Sequence, residues 1–471
     1  MNPSYTNLGD LQTDLLQGNL RMVDQVKYYL NRITDTQELN IYLEVYESDI
    51  LTQAEALDRA IAAGEDLSSY PLFGLVLSVK DVIVQKGKAV SAGSKILAGY
   101  VSPFSSTAIE RLIEAGALII GRVNCDEFAM GSANENSAFG PTKNGLAAQH
   151  VPGGSSGASA VAVQMDTCLA SLGSDTGGSV RQPAAFCGVL GYKPTYGRVS
   201  RHGLIAYGSS FDQIGILSHS IEDAERILEV MAGPDEMDAT AIQQPLEERS
   251  SSNEKLKIAY WSSAVDHPGL DPEIQQVTQA LIDRLRSEGH TVEAIDFDLL
   301  DYVVPTYYVL TTAEASTNLS RFDGIRYGHR SAEAENLEDV YLKSRTEGFG
   351  KEVKRRILLG TFVLSAGYFD AYYGQAQKVR RLIRTAMDKT FETYDVILSP
   401  VTPTTAWKIG EQVDDPIQNY LADIYTVSAN LAGIPAMALP LGTHSNGLPF
   451  GVQFMAPFGA DRALLQAVRQ V

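Results

Sequence analysis

A chain of 471 residues that is 44% apolar and 20% charged can bury a large core, which excludes a disordered or fibrous protein. Its 38 Lys and Arg stand against 57 Asp and Glu, and a net charge of -19 repels phosphate backbones. The chain is therefore not expected to hold nucleic acid over a broad face by itself, although a local basic patch or a partner subunit stays open. Cys125, Cys168 and Cys187 are too few and too widely spaced for a disulfide framework or a CxxC metal cluster. The N-terminus is polar, and no apolar run approaches the roughly 20 residues needed to cross a bilayer. The expected setting is cytoplasmic.

Residues 10–70 read as helical, with Leu11, Leu15, Val23, Val26, Tyr29 and Leu30 on apolar faces. Residues 73–80 have the length and apolar density of a buried strand, with Lys80 at its end. Thr107 and Glu110 form a capping-box pair for a helix to about Ala115, and a strand follows at 117–120. Between Gly131 and Gly215 the chain is rich in Gly, Ser and Asn. Apolar pieces at 168–172 and 189–192 mark this stretch as ordered, tightly turning backbone rather than a loose tether.

Residues 220–231 predict another capped helix, and 233–255, with Ser250-Ser251-Ser252, is the best linker candidate. Strands are expected at 256–261 and 291–297, with a helix starting at Asp271-Pro272 between them. A long helical stretch covers about 350–394. Strands at 396–399, 436–441 and 450–455 precede a helix from Asp461. Alternating strands and helices predict the α/β class. No repeat is present at solenoid periods. One domain over 1–471 is expected, with the part after the linker a candidate inserted lobe.

Ser179 follows two glycines, so the N–H groups of Thr176, Gly177, Gly178 and Ser179 can converge on one point. A tetrahedral oxyanion needs such a cluster, and losing one donor costs about 10²–10³ in rate. A glycine-rich turn without chemistry is the plain alternative. A serine nucleophile also needs a base. His150, His202 and His219 lie nearby in sequence, but there is no Gly-x-Ser-x-Gly elbow. Lys80 is the sharper candidate. In water a lysine has a pKa of about 10.4, and burial in an apolar strand lowers it. Its plain alternative is an ion pair with Asp81. Ser155, in Gly153-Gly154-Ser155-Ser156-Gly157-Ala158-Ser159, supplies a hydroxyl that can relay a proton between the two. A phosphate cradle would want a following Gly-Lys-Ser/Thr, which is missing.

Lys80, the 153–159 run and Gly173-Ser174-Asp175-Thr176-Gly177-Gly178-Ser179-Val180-Arg181 together resemble the amidase signature family with its Ser–cis-Ser–Lys triad. The resemblance implies Ser179 as nucleophile, Ser155 as bridging serine and Lys80 as terminal base. It also implies a large mixed β-sheet core flanked by helices on both sides. Residues 124–132, 135–141, 193–200, 320–328, 352–357 and 414–423 are similar to one branch, the A subunits of glutamyl-tRNA(Gln) amidotransferases.

In that branch a tyrosine, an arginine and an aspartate recognise glutamine. They fall on Tyr307, Arg356 and Asp423, with Tyr308 and Arg355 as immediate neighbours. An arginine fork suits the substrate α-carboxylate and a carboxylate suits its α-ammonium. The branch further implies a heterotrimer. Ammonia passes to a B subunit that binds ATP and Mg²⁺ and holds the misacylated tRNA, either Glu-tRNA(Gln) or Asp-tRNA(Asn). A C subunit braces the pair, and this chain carries no cofactor or metal of its own.

The chain departs from the family pattern at Ala158, Val82 and Asn144-Gly145-Leu146, none of which touches a proposed catalytic atom. A stand-alone amidase acting on small or aryl amides, and a catalytically dead scaffold, are the competing readings.

Overall fold

A computed structural model of the chain describes residues 4–247, 255–411 and 422–471. Ser250-Ser251-Ser252 and Asp414-Asp415-Pro416, both singled out in the sequence, lie outside the described residues. The strands are β1 (Tyr42–Val45), β2 (Val76–Lys80), β3 (Leu118–Val123), β4 (Ala170–Asp175), β5 (Leu190–Lys193), β6 (Gln213–Ser218), β7 (Lys257–Trp261), β8 (Thr291–Ile295), β9 (Val396–Pro400), β10 (Ala436–Thr443) and β11 (Pro449–Met455). They form one 11-stranded sheet in the order β1-β3-β2-β4-β6-β5-β10-β11-β9-β7-β8.

The sheet is mixed. β3, β2 and β4 are parallel neighbours, as are β9, β7 and β8, while the strands between pair antiparallel. Every residue of β2, β4, β6, β9 and β11 is buried. Successive side chains of a strand point to opposite faces, so both faces of this sheet are covered.

The covering helices in the first half are α1 (Leu8–Gln17), α2 (Met22–Asp35), α3 (Glu47–Ala62), α4 (Thr107–Glu114), α5 (Gly157–Gln164), α6 (Arg181–Cys187) and α7 (Ile221–Met231). The second half has α8 (Ser262–Val265), α9 (Pro272–Ser287), α10 (Leu300–Asn318), α11 (Leu337–Gly348), α12 (Lys351–Val363), α13 (Gln375–Thr390), α14 (Val427–Ala432) and α15 (Asp461–Val468). Among the described residues no helix is long and apolar enough to cross a membrane. The crossover through α4 makes β2 and β3 parallel, and α5 leads into β4 beside them. Lys80 and Asp175 therefore end two adjacent parallel strands, at the carboxyl edge where α/β sheets gather ligands.

Local signals placed many ends correctly. Ser220 caps α7 by accepting from Asp223 N at 3.2 Å. Asp271 caps α9 ahead of Pro272. Elsewhere the structure differs. The region 10–70 contains a strand, β1, whose four half-buried residues are too few to show a period of two. The cap of α4 is Ser106, which accepts from Ile109 N at 3.2 Å, while the Thr107 hydroxyl turns away to Asp235. The helical stretch over 350–394 is two helices, α12 and α13, broken near Gly367, whose φ of 89° no helix tolerates. Residues 233–247, expected as the start of a linker, are fastened down. Ile242 N donates to Gly197 O at 2.8 Å, and Arg198 Nη1 donates to Gln244 O at 3.0 Å.

Candidate active site

The amine of Lys80 is fully buried at the end of β2 and surrounded by hydroxyls. It donates to Ser155 Oγ at 2.7 Å, Ser156 Oγ at 2.8 Å and Ser174 Oγ at 2.9 Å. Asp81 does not pair with it. Its carboxylate instead takes Arg122, Ser91 and the Gly93 amide. Burial pulls the Lys80 ammonium down to about 8, against the negative groups around it. The amine is thereby brought close to the neutral form that a base requires.

The three hydroxyls are not equivalent. Ser156 Oγ donates to Ser174 O at 3.0 Å, so its proton is committed. Ser155 Oγ, which follows the cis peptide Gly154–Ser155, makes no such donation among the described residues. When Lys80 loses a proton, its lone pair can receive the Ser155 proton without breaking another bond.

Ser179 sits at the turn between β4 and α6 and is 8% exposed, enough to meet a substrate. Its carbonyl accepts from Ser156 N at 3.1 Å, and Gln182 on α6 accepts from Gly154 N at 2.8 Å. These two bonds dock the Ser179 turn against the Ser155 turn. Ser179 Oγ itself has no hydrogen-bond partner among the described residues, which leaves it available to react.

The amides of the turn divide. Gly178 N donates to Asp175 Oδ1 at 2.8 Å, so this one of the four expected oxyanion donors is already spent. The cause is the fully buried Asp175, which also takes Arg181 Nε at 3.1 Å and Asn430 Nδ2 at 2.8 Å. Burial would raise the Asp175 carboxyl, but Arg181 and its other partners hold it down at about 2. The amides of Thr176, Gly177 and Ser179 meet no acceptor among the described residues. Two constraints require the glycines. A Cβ on Gly177 would lie 2.5 Å from the Tyr307 hydroxyl, and Gly178 has a φ of 126°. Asp212 fixes the same turn by accepting from Thr176 Oγ1 at 2.7 Å and from Tyr207 N at 2.9 Å.

The histidines weighed as bases are used elsewhere. His202 stacks on Phe104, and His219 Nε2 lies 3.0 Å from Val163 O. His150 is half-buried in a loop and makes no side-chain bond to the serines. All three cysteines are free and buried, and burial raises each thiol, so none offers a ready thiolate.

The expected recognition residues come from α10, α12 and the segment before α14. Tyr307 is buried over Gly177 and packs edge-on against Phe211 and Tyr308. Arg356, also buried, donates to Tyr207 Oη at 2.7 Å and to Glu352 Oε1 at 2.8 Å. Its guanidinium lies 5.2 Å from the centre of the Tyr308 ring. Asp423 accepts from Ser132 Oγ at 2.9 Å and Tyr308 Oη at 3.1 Å. Burial pushes its carboxyl up to about 7, with Ser132, Tyr308 and Arg356 opposing. Tyr308 thus touches both charged groups, whereas Tyr307 touches the turn that carries the nucleophile. Tyr207 and Asp212 have no signal in the sequence that marks them for the site, and Ser132 has only its place at the end of the 124–132 stretch. Tyr308 has one, as the neighbour of Tyr307.

Comparison with known proteins shows the family. The Amidase family model matches residues 24–465. A relative from Prosthecochloris aestuarii, named as the A subunit of glutamyl-tRNA(Gln) amidotransferase, is 47% identical and covers 99% of this chain and 98% of its own length. Another of that name, from Acidobacterium capsulatum, is 50% identical over 92% of this chain and 91% of its own. The crystal structure of the glutamyl-tRNA(Gln) amidotransferase A subunit from Thermotoga maritima superposes with a TM-score of 0.78 at 38% identity, covering 94% of this chain and 90% of that one. With a family match over nearly its whole length and relatives at this level of identity, the chain belongs to the amidase signature family.

Proposed function

We propose that this chain is the glutamine-hydrolysing A subunit of an amidotransferase that repairs misacylated tRNA. One observation carries the glutamine reading. A buried cation, Arg356, and a buried carboxyl, Asp423, both meet Tyr308 beside the turn of Ser179. That pairing of charges complements the α-carboxylate and α-ammonium of a free amino acid, whereas a simple or aryl amide has neither group.

In this reading Ser179 Oγ attacks the side-chain amide carbon of glutamine. Its proton moves to Ser155 Oγ as the Ser155 proton moves to neutral Lys80. The oxyanion is held by amides of the turn, drawn from Thr176, Gly177 and Ser179. Collapse of the tetrahedral intermediate breaks the C–N bond. The relay runs backwards, and the departing nitrogen leaves as ammonia. Water then attacks the glutamyl ester with the same relay as base, frees glutamate and restores Ser179.

The rest of the proposal extends the resemblance to the A-subunit branch, and the acidic charge of this chain supports it. The whole chain works as one cytoplasmic unit in a heterotrimer. A B subunit holds ATP, Mg²⁺ and the tRNA, and a C subunit braces the pair. The hydroxyl–amine chemistry of this chain runs without ATP or a metal ion. The test is ammonia release from glutamine, compared with acetamide and aryl amides, with and without B and C subunits and misacylated tRNA. Preference for glutamine and stimulation by the complex are expected. Equal or better cleavage of acetamide, with no gain from the partners, would favour a stand-alone amidase.

A further inference from the structure

We propose that Glu127 is a positioning residue for glutamine recognition: its carboxylate holds the first turn of α12 and so aims Arg356 at the substrate carboxylate. The proposal deepens the glutamine reading above and rests on it.

The start of α12 lacks a cap of its own. Gly350, its N-cap, has no side chain, and the residue three places on, which in a capping box would reach back to the N-cap amide, is Val353. Glu352 in the first turn is taken by Arg355 and Arg356. The missing carboxylate arrives from 223 residues away, with Glu127 Oε2 accepting from Gly350 N at 2.8 Å. The fit is close, since any Cβ on residue 350 would collide with Glu127 Oε2. Ser94 clamps the other oxygen, Oε1, while reaching Gly348 O at 3.2 Å, so the end of α11 and the start of α12 are gripped together. Burial pushes the Glu127 carboxyl up to about 7, with Ser94, the Gly350 amide and Lys354 opposing, and the helix dipole favours its ionised form at this N-terminus.

Glu127 is well placed to pass position from one half of the site to the other. The preceding residue, Asp126, donates its amide to Ser155 O at 3.3 Å. Its carboxylate accepts from Asn134 N at 2.8 Å and Asn136 N at 3.0 Å, ordering the loop that brings Ser132 to Asp423. Two consecutive residues thus tie down the relay serine and the helix of the guanidinium. Glu127 is 2% exposed and touches neither Lys80, Ser155 nor Ser179. Such a residue acts through α12 rather than on the reacting atoms.

The experiment is a double-mutant cycle in the assembled enzyme, reading KM and kcat for glutamine and the melting temperature of each variant. Glu127→Ala is expected to raise KM about tenfold and leave kcat within about threefold. Glu127→Gln keeps an acceptor for Gly350 N and is expected to raise KM about two- to threefold. In an Arg356→Ala background neither change should raise KM further. The proposal is overturned if Arg356→Ala raises KM while both Glu127 variants leave it unchanged. It is equally overturned if the Glu127 effect persists undiminished without Arg356. If Arg356→Ala itself leaves KM unchanged, the glutamine reading fails and the proposal falls with it. Should Glu127→Ala not fold, the Gln cycle decides by the same criteria.

Discussion

Around the Lys80 amine the polar partners come from one strand end and two motifs, whereas around Arg356 and Asp423 most of them are gathered from across the molecule. Asp175 and Arg181 are 6 residues apart, Ser156 and Ser174 are 18, and Lys80 and Ser155 are 75. On the recognition side, Arg356 meets Tyr207 across 149 residues and Asp423 meets Ser132 across 291. The proton relay of the catalytic floor is a property of two motifs and one strand end, while Thr426, Asn430 and Gln453 reach in from 245 to 272 residues away to brace the Gly177 carbonyl and the Arg181 guanidinium behind it. The recognition wall exists only when α10, α12 and three loops have packed. If the two are separable, changes in the floor should lower kcat and changes in the wall should raise KM.

The harshest break is in the floor. Ser179→Ala and Lys80→Met should each lower kcat by about 10⁴-fold or more with KM little changed, and the double variant should be no worse than either single one. Single-turnover glutamine hydrolysis measures this. A Lys80 variant that kept most of its activity would mean that the proton leaves by another route. The next effect is on stability. Asp175→Ala leaves the Arg181 guanidinium buried without its counter-ion and releases Gly178 N and Val180 N from their acceptor. Breaking a buried pair in this way costs about 3–5 kcal/mol, which denaturant unfolding would show. A loss below about 1 kcal/mol would mean that Asn430 and Gln453 suffice to hold Arg181.

This contrast also explains what could be read from the sequence. Ser155 and Ser179 were legible as serines in glycine- and hydroxyl-rich turns and Lys80 as a lysine ending an apolar strand, and the resemblance joined the three into one triad. The commitment of Gly178 N to Asp175 was not legible, since a motif counts amides without showing which way they point. On the wall, Arg356 and Asp423 came through the resemblance alone. Ser132 stood in a stretch that marked the branch but not its contact with Asp423, and Tyr207 carried no local mark at all. α10 was missed for a physical reason. Pro305 and the β-branched Val303, Val304 and Thr306 disfavour a helix, and packing against α12 overrides that local preference. The chain after residue 233 likewise revealed its strands but not that β7 and β8 join β9 in the common sheet.

The pH dependence separates floor from wall by smaller effects. Lys80 must be neutral to act, and its ammonium titrates at about 8, so kcat should rise with pH and level off above about 8. Asp423 must be ionised to hold an ammonium, and its carboxyl titrates at about 7, so affinity should weaken as pH falls below about 7. On a logarithmic plot kcat/KM should therefore climb with a slope near two below pH 7 and near one between 7 and 8, then flatten. With saturating glutamine kcat should keep only the upper limb, and Asp423→Asn should remove the lower one except for a roughly two- to threefold change from Glu127, whose buried carboxyl is also pushed up to about 7. A kcat/KM that is level from pH 6 to 8 would contradict both assignments.

The smallest effect concerns which of two adjacent tyrosines serves the wall. The resemblance selects Tyr307, yet it is Tyr308 whose hydroxyl donates to Asp423 and whose ring lies under Arg356. Tyr308→Phe keeps the ring and removes only the donor. The net worth of such a bond is about 1 kcal/mol, so KM should rise roughly fivefold with kcat unchanged. The same donor lowers the Asp423 carboxyl, so its loss should also move the lower limb of the pH profile to higher pH. Tyr307 has its hydroxyl against Gly177 in the turn of the nucleophile, so Tyr307→Phe should act on kcat and leave that limb in place. If Tyr307→Phe moved the limb and Tyr308→Phe did not, the two side chains would exchange roles, and the boundary between floor and wall would run on the other side of Tyr307.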